Sequence, residues 1–399
     1  MAQLMPYLLD WANLLTRWLH LIAGIAWIGA SFYFVMLDNS LKRPRKSEDE
    51  ARGVHGELWA VHGGGFYCSQ KFLTGPKGEP LSEDLHWSKW EAYTTWLSGM
   101  GMLALVYWLG AAGTLTDAKV LDVTQGVAVA LSVAFLAAGW VIYDLLCRAL
   151  EGRDGLLGVV VAVLVLAAEW LAFNLFAPRA AYIHVGAMLG TCMAANVFFH
   201  IMPGQRRMVN AIRNGLPVDP RPGQIAKQRS VHNTYFTLPV LFVMISNHYP
   251  MTFGHAHGGI VLAGLMLAGV SIRQFFVFRH AHGPLWALPA IAVAILAALI
   301  VWMAPKPVVA DKAVDIGTAQ RIVAARCASC HAEKPTQEGF AQAPKGIVLE
   351  TPAQIASNAS LILSTVSSGY MPLGNLTGMT DEERRLLLAW AAQPGTTKP

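Results

Sequence analysis

The segment Cys327-Ala-Ser-Cys330-His331 carries the plainest chemistry in the chain. Two cysteines at this spacing, followed at once by a histidine, read as covalent haem c attachment. The thiols form two thioether links and His331 takes an axial position on the iron. Other histidines lie where water is scarce. His20 in RWLHLIAGIAWIG and His184 in AYIHVGAMLG each sit a few residues inside a long apolar run, among glycine and alanine. Ionisable residues in such runs are functional candidates. Small residues let a helix or a flat cofactor come close. His20 and His184 are read as the two iron ligands of a membrane haem b, against the plainer reading that each bonds a neighbouring helix.

Further candidates are less specific. Glu169, midway along VLVLAAEWLAFN, is a proton relay, a cofactor partner or a structural hydrogen-bonding group. Arg17 precedes His20 by one helical turn and either pairs with a haem propionate or snorkels outward. His184 and His200 are sixteen residues apart, as are His232 and His248. That spacing turns a pair about 160° around a helix and separates it by ~24 Å along it. Ligands of two stacked haems belong on one face, so His200, His232 and His248 are read as interfacial. A polar, aromatic set lies on the other side of the membrane. Trp59 and His62 precede a Gly63–Gly65 run, Lys89 and Glu91 follow in HWSKWE, and His232 and Asn233 follow in RSVHNTY. Such a set suits a flat, anionic heterocycle, with Lys89, Asn233 and Trp59 binding it. His62, His232 or Glu91 would act as general base. An ordinary interfacial aromatic belt is the alternative for each residue alone.

The elements that position these residues are helices in lipid. The chain of 399 residues is 54% hydrophobic and only 14% charged, against ~25% charged in soluble domains. Eight segments are apolar enough to span: roughly 12–38, 92–115, 124–148, 155–177, 180–203, 232–249, 258–279 and 284–304. Each can cross ~30 Å of hydrocarbon. The pI near 8.9 is no nucleic-acid footprint, because the basic residues cluster in alternate loops. Lys42 to Arg52, Arg148 and Arg153, Arg206 to Arg229, and Arg279 fall on one side, which the positive-inside rule makes cytoplasmic. Both termini then face outward, where haem c is attached in bacteria. The first apolar segment is too long for a signal peptide. The long cytoplasmic loop 39–90 contains a strand, Phe66–Leu73, and a turn at Gly75-Pro76-Lys77-Gly78, read as part of a hairpin. Cys147 and Cys192 lie in apolar runs and read as packing residues, so the five cysteines make no disulfide framework.

Beyond Pro305 the composition turns polar. The division is a transmembrane domain over 1–305, a linker over 306–311 and a small domain over 312–399. Thr380 and Glu383 form a capping box for a last helix, Asp381 to Ala392. The order CASCH, then Gly369-Tyr-Met371-Pro, then a terminal helix with Trp390 resembles small class I cytochromes c. There a Met before Pro is the sixth iron ligand, which implies that role for Met371, with Met379 as rival.

Four segments carry a wider resemblance: RWLHLIAGIAWIGASFYFVMLD, LHWSKWEAYTTWLSGMG, HVGAMLGTCMAANVFF and RSVHNTYFTLPVLFVMISNHY. Together they resemble the membrane-bound urate oxidases with a fused C-terminal cytochrome c. The resemblance implies oxidation of urate to 5-hydroxyisourate with water as oxygen source. Electrons pass to the cytochrome domain and on to a respiratory-chain acceptor such as a soluble cytochrome or terminal oxidase. The first span is also similar to haem-binding protoporphyrinogen oxidases, which supports His20 as a ligand. Rival readings are a quinol–cytochrome c or porphyrinogen oxidoreductase, and a membrane-anchored electron-transfer cytochrome. The expected fold is mainly α: an eight-helix bundle in a bacterial inner membrane, plus a small periplasmic cytochrome c domain.

Overall fold

The structure, a computed structural model, describes residues 4–109, 114–304, 313–337 and 342–393. The linker expected over 306–311 lies outside the described residues. The fold is mainly helical. Helix α1 (Leu4–Ser40) is followed by the short α2 (Ser47–Ala51) and a two-stranded hairpin, β1 (Val54–His62) and β2 (Gly65–Phe72). Then come α3 (Trp90–Leu103), which continues as a π turn to Trp108, α4 (Gln125–Ala149) and α5 (Asp154–Leu175). Helix α6 (Pro178–Ala195) opens on a proline, where the missing N–H costs no hydrogen bond. It passes through a π turn at Asn196–Ile201 into α7 (Met202–Arg213). The remainder of this unit is α8 (Arg221–Ser246), α9 (Pro250–Phe253), α10 (Gly258–His282) and α11 (Ala287–Trp302).

Among the described residues, five helices are long and apolar enough to cross a membrane: Tyr7–Ser40, Gln125–Ala149, Asp154–Leu175, Pro178–Arg213 and Gly258–Arg279. The other three expected spans are helical but fall short of that standard. Helix α3 gives way to its π turn after 14 residues, and α11 is 16 residues long. The first half of α8 is polar, and Arg229, read from sequence as a loop residue, is a buried residue of that helix.

Helix α6 is the centre of the bundle. It packs against α3, α4, α5 and α8. Within its apolar window 61% of residues are buried, against 11% in α1, so α1 is peripheral and α6 is not. Small residues allow this. A Cβ at Gly186 would lie 2.5 Å from Val243 of α8, so only glycine permits the observed approach.

The hairpin differs from its expected form. Strand β2 pairs antiparallel with the segment before it, and the reversal is at Gly63-Gly64, between His62 and Gly65. Both glycines have positive φ, 59° and 81°, as a two-residue hairpin turn of the primed type requires. Gly75 to Gly78 lie beyond the strand.

The C-terminal unit contains α12 (Ile316–Arg326), α13 (Pro352–Ser357), α14 (Ala359–Ser367) and α15 (Asp381–Ala391). Ile322, Val323, Ile355, Val366, Met379, Leu387 and Trp390 form its buried core. The expected capping box is present at Thr380 and Glu383. Glu383 also joins the first helix to the last, with Arg326 at 3.0 Å.

The Thr380 backbone N–H, at 2.8 Å, and then Arg326 hold the Glu383 carboxyl below its ordinary value. A carboxylate with a depressed folded pKa stabilises the fold above its unfolded pKa, ~4.3. That contribution is lost as pH falls through the folded value. Amide hydrogen exchange along α15 is therefore expected to speed up as pH drops below about 4–5, after correction for intrinsic rates. Glu383→Gln should exchange faster than wild type at neutral pH and show a shallower pH dependence. An unchanged profile in the variant counts against the assignment.

Candidate functional site

A cavity of about 380 Å³ opens between α1, α3, α6 and α8. His20 lines it from α1. Its Nδ1 lies 3.0 Å from the Thr95 carbonyl and 3.1 Å from Ser98 Oγ. The Ser98 hydroxyl is itself 2.6 Å from the Thr94 carbonyl, to which it donates. His20 Nδ1 is therefore the protonated nitrogen, donating to Thr95, and Nε2 keeps its lone pair. Gly99 makes room for the ring, since a Cβ there would lie 3.0 Å from His20 Cε1. His248, just beyond the end of α8, also lines the cavity. Arg17 and Arg179 also line the cavity. Arg179 Nε donates to Asn247 Oδ1 at 2.8 Å, and the Tyr107 hydroxyl donates to the same atom at 3.3 Å.

His184 is placed elsewhere. It is fully buried, and it is not among the residues lining the cavity. Its Nε2 is 2.7 Å from Ser132 Oγ and its Nδ1 2.7 Å from the Ala180 carbonyl. Its ring stacks on Phe176 at 4.1 Å. Both nitrogens are engaged, so the structure does not pair His184 with His20. Sequence reasoning set His248 aside as interfacial because its sixteen-residue spacing from His232 turns the two about 160° apart around one helix. Only the tertiary packing turns His248 onto the cavity.

Beneath the cavity is a buried polar cluster. Asp144 of α4 accepts from Arg229 Nη2 at 2.7 Å and lies 2.6 Å from His200 Nε2. Arg148, one turn on, reaches its other oxygen at 2.7 Å. Asn196, at the start of the π turn, donates to the Tyr143 hydroxyl and to Asn233 Oδ1, both at 2.9 Å. The Tyr143 oxygen lies 2.9 Å from His232 Nδ1. Arg229 is 2% exposed, and its Nε has no partner. Asn233 Nδ2 donates to the Met193 carbonyl, and Met193 lines the cavity, so cluster and cavity adjoin. Of the residues expected to meet a substrate, His232 and Asn233 are thus brought together. Trp59 is 55% exposed on β1. His62 is exposed at the hairpin turn, Lys89 caps α3, and Glu91 is in its first turn. None of these four hydrogen-bonds to the cluster. Asp144, Tyr143 and Asn196 were missed in the sequence. Asp144 with Arg148 four residues later, inside an apolar run, was the available signal. Glu169 is buried with Oε1 unpartnered, against Gly259 of α10.

In the C-terminal unit, His331 Nδ1 lies 2.9 Å from the Ile347 carbonyl, which leaves Nε2 free. Cys327 and Met371 pack against the same apolar core. Met379 is 1% exposed inside it. The Met371 carbonyl accepts from Arg384 at 3.0 Å. The loop before Met371 rests on the helical bundle. Tyr370 and Phe253 rings are 6.1 Å apart, and a Cβ at Gly254 would fall 1.6 Å from the Ser368 carbonyl oxygen. Phe253 is five residues from His248, so the cavity and the CASCH unit are neighbours.

A family model described as urate oxidase N-terminal matches residues 6–304. The chain belongs to this urate oxidase family. No curated protein and no solved structure gives a match. The matched residues contain the cavity and the polar cluster, whereas CASCH lies beyond them. Among the described residues, no group of three or more His, Cys, Asp or Glu could hold a metal ion. A porphyrin needs only axial ligands from protein, because its own nitrogens complete the coordination.

Removing one partner of a buried ion pair strands the other, at a cost of ~3–5 kcal/mol. Asp144→Ala is therefore expected to lower the thermal midpoint in detergent sharply. The double variant Asp144→Leu/Arg229→Met, which removes the buried guanidinium as well and leaves only the solvent-exposed Arg148 without its carboxylate, should lie much closer to wild type. Equal losses in the two variants would contradict the pairing.

Proposed function

We propose that the protein is a membrane-embedded urate oxidase that passes electrons to its own C-terminal haem c, and from there to a respiratory-chain acceptor. The observation that carries the reading is the seating of the Met371 loop on the family-matched bundle, through Tyr370 against Phe253 and Gly254 against Ser368. The charge pattern of the loops supports a bacterial inner-membrane topology of eight crossings with the N-terminus and the cytochrome domain outside. The cavity ends of α1, α6 and α8 then lie near the outer face, and the Asp144–Arg229 cluster lies near the inner one.

Urate and water give 5-hydroxyisourate, two protons and two electrons, with the new oxygen coming from water. Haem c, when bound, supplies a one-electron acceptor, so two transfers complete each turnover. Cys327 and Cys330 tether it. His331, with Nδ1 donating to Ile347, would hold the iron through Nε2, and Met371 would hold it through its sulfur. At the substrate end, Arg229 contributes its guanidinium and unpartnered Nε to the urate anion. Asn196 and Asn233 orient the flat ring. Tyr143 accepts from Asn196 and donates to His232 Nδ1, so a proton released at the cluster reaches the imidazole through that bond. His62, Trp59, Lys89 and Glu91 stand outside this set, and Glu169 faces α10.

Anaerobic addition of urate to purified, haem-loaded protein is expected to reduce haem c, and turnover in labelled water should place the label in the product. His232→Ala should lower kcat by ~10²–10⁴-fold. Gly254→Val, which unseats the Met371 loop, should slow haem c reduction while leaving haem attachment intact. Failure of urate to reduce fully loaded protein would overturn the reading. Reduction by a quinol but not by urate would identify a quinol–cytochrome c oxidoreductase instead.

A further inference from the structure

We infer that the cavity between α1, α3, α6 and α8 holds a haem b whose iron is ligated by His20 and His248. The ligand pair follows from what each imidazole already does. His20 commits Nδ1 to Thr95 and keeps the Nε2 lone pair. The His248 ring has no hydrogen-bond partner among the described residues, although its backbone N–H is bound to Ile245. Both residues line one cavity, His20 from α1 and His248 from just beyond the end of α8. His184 has no free nitrogen.

The walls fit a macrocycle. Gly24, Gly99, Gly186 and Gly190 line the cavity from three helices. A Cβ at Gly190 would meet nothing within 4 Å, so that glycine opens onto space a flat ring can fill. Trp27, Met100 and Val240 provide apolar surface. Among the described residues, Arg17 and Arg179 are the charged side chains lining it, and the lining includes no carboxylate. Two guanidiniums beside an apolar slot suit a planar ligand that carries two carboxylates, as the haem propionates do.

Position gives the group its task. Met193 lines the cavity and accepts from Asn233 of the polar cluster. At the other end, α9 seats Tyr370, next to Met371. The haem b site therefore lies between the proposed urate end and haem c. This direction of electron flow rests on the urate reading, whereas the haem site itself does not.

The test is a cofactor count on purified full-length protein by pyridine haemochrome, with electron paramagnetic resonance for ligation. Equimolar haem b and haem c, with a low-spin bis-imidazole signal from the b centre, is the expected result. His20→Ala and His248→Ala should lose the b haem or its low-spin signal while covalent haem c stays. Added imidazole should restore the signal in His248→Ala. Gly190→Leu, which touches neither ligand, should exclude haem b by filling the slot. His184→Ala should keep it. Retained haem c and an unchanged elution volume report folding in each variant. Wild-type protein containing haem c alone overturns the inference. So does a low-spin b signal that survives His248→Ala and disappears in His184→Ala. A full haem b complement in protein that urate fails to reduce overturns the urate reading and leaves this site standing.

Discussion

Polar side chains set deep among apolar helices must find partners inside the protein, because hydrocarbon offers none. The Asp144–Arg229 pair is where this constraint acts most strongly. One carboxylate takes Arg229, Arg148 and His200 together. Arg229 is held further by the Tyr143 ring, 5.2 Å from its charge centre. These contacts tie α4, α6 and α8 at one level of the bundle. A buried pair of this kind adds little net stability, since desolvation offsets its attraction. Its effect is to penalise every arrangement that separates the partners.

Position along those helices follows from the pairing. With α6 and α8 joined at Asn196 and Asn233, their far halves carry Gly186, Gly190, Val240 and His248 around one cavity. The π turn at Asn196–Ile201 belongs to the same logic. Asn196 and His200, four residues apart, lie on one face of it and both reach inward. Helix α1 has a different relation to the bundle. It is exposed over most of its length, yet His20 is anchored to α3 by two hydrogen bonds. The cavity is thus closed on one side by a peripheral helix and on the other by the most buried one.

The domain contact is built on backbone. Gly254 and Gly369 approach so closely that side chains at either would intrude on the other segment. Tyr370 with Phe253 adds a side-chain contact. A surface of this kind holds the Met371 loop near the bundle without a large apolar interface.

The apolar runs and the capping box at Thr380 were legible in the sequence, because each depends on residues close together in the chain. A span needs a length of apolar residues, and a cap needs a neighbour three positions on. His20 was legible for a similar reason, as a lone imidazole among small residues. That His248 lines the same cavity was not. His184 and His248 look alike in sequence, and helix phase and packing decide that one is locked between Ser132 and Ala180 while the other faces the cavity. The same holds for Asp144, Asn196 and Arg229, whose partners on other helices are 33 to 85 residues away. Chemistry that is local in the chain was determined by the sequence. The choice of which polar groups meet was left to tertiary structure, because in a packed bundle each buried donor is satisfied by whichever helix lies beside it.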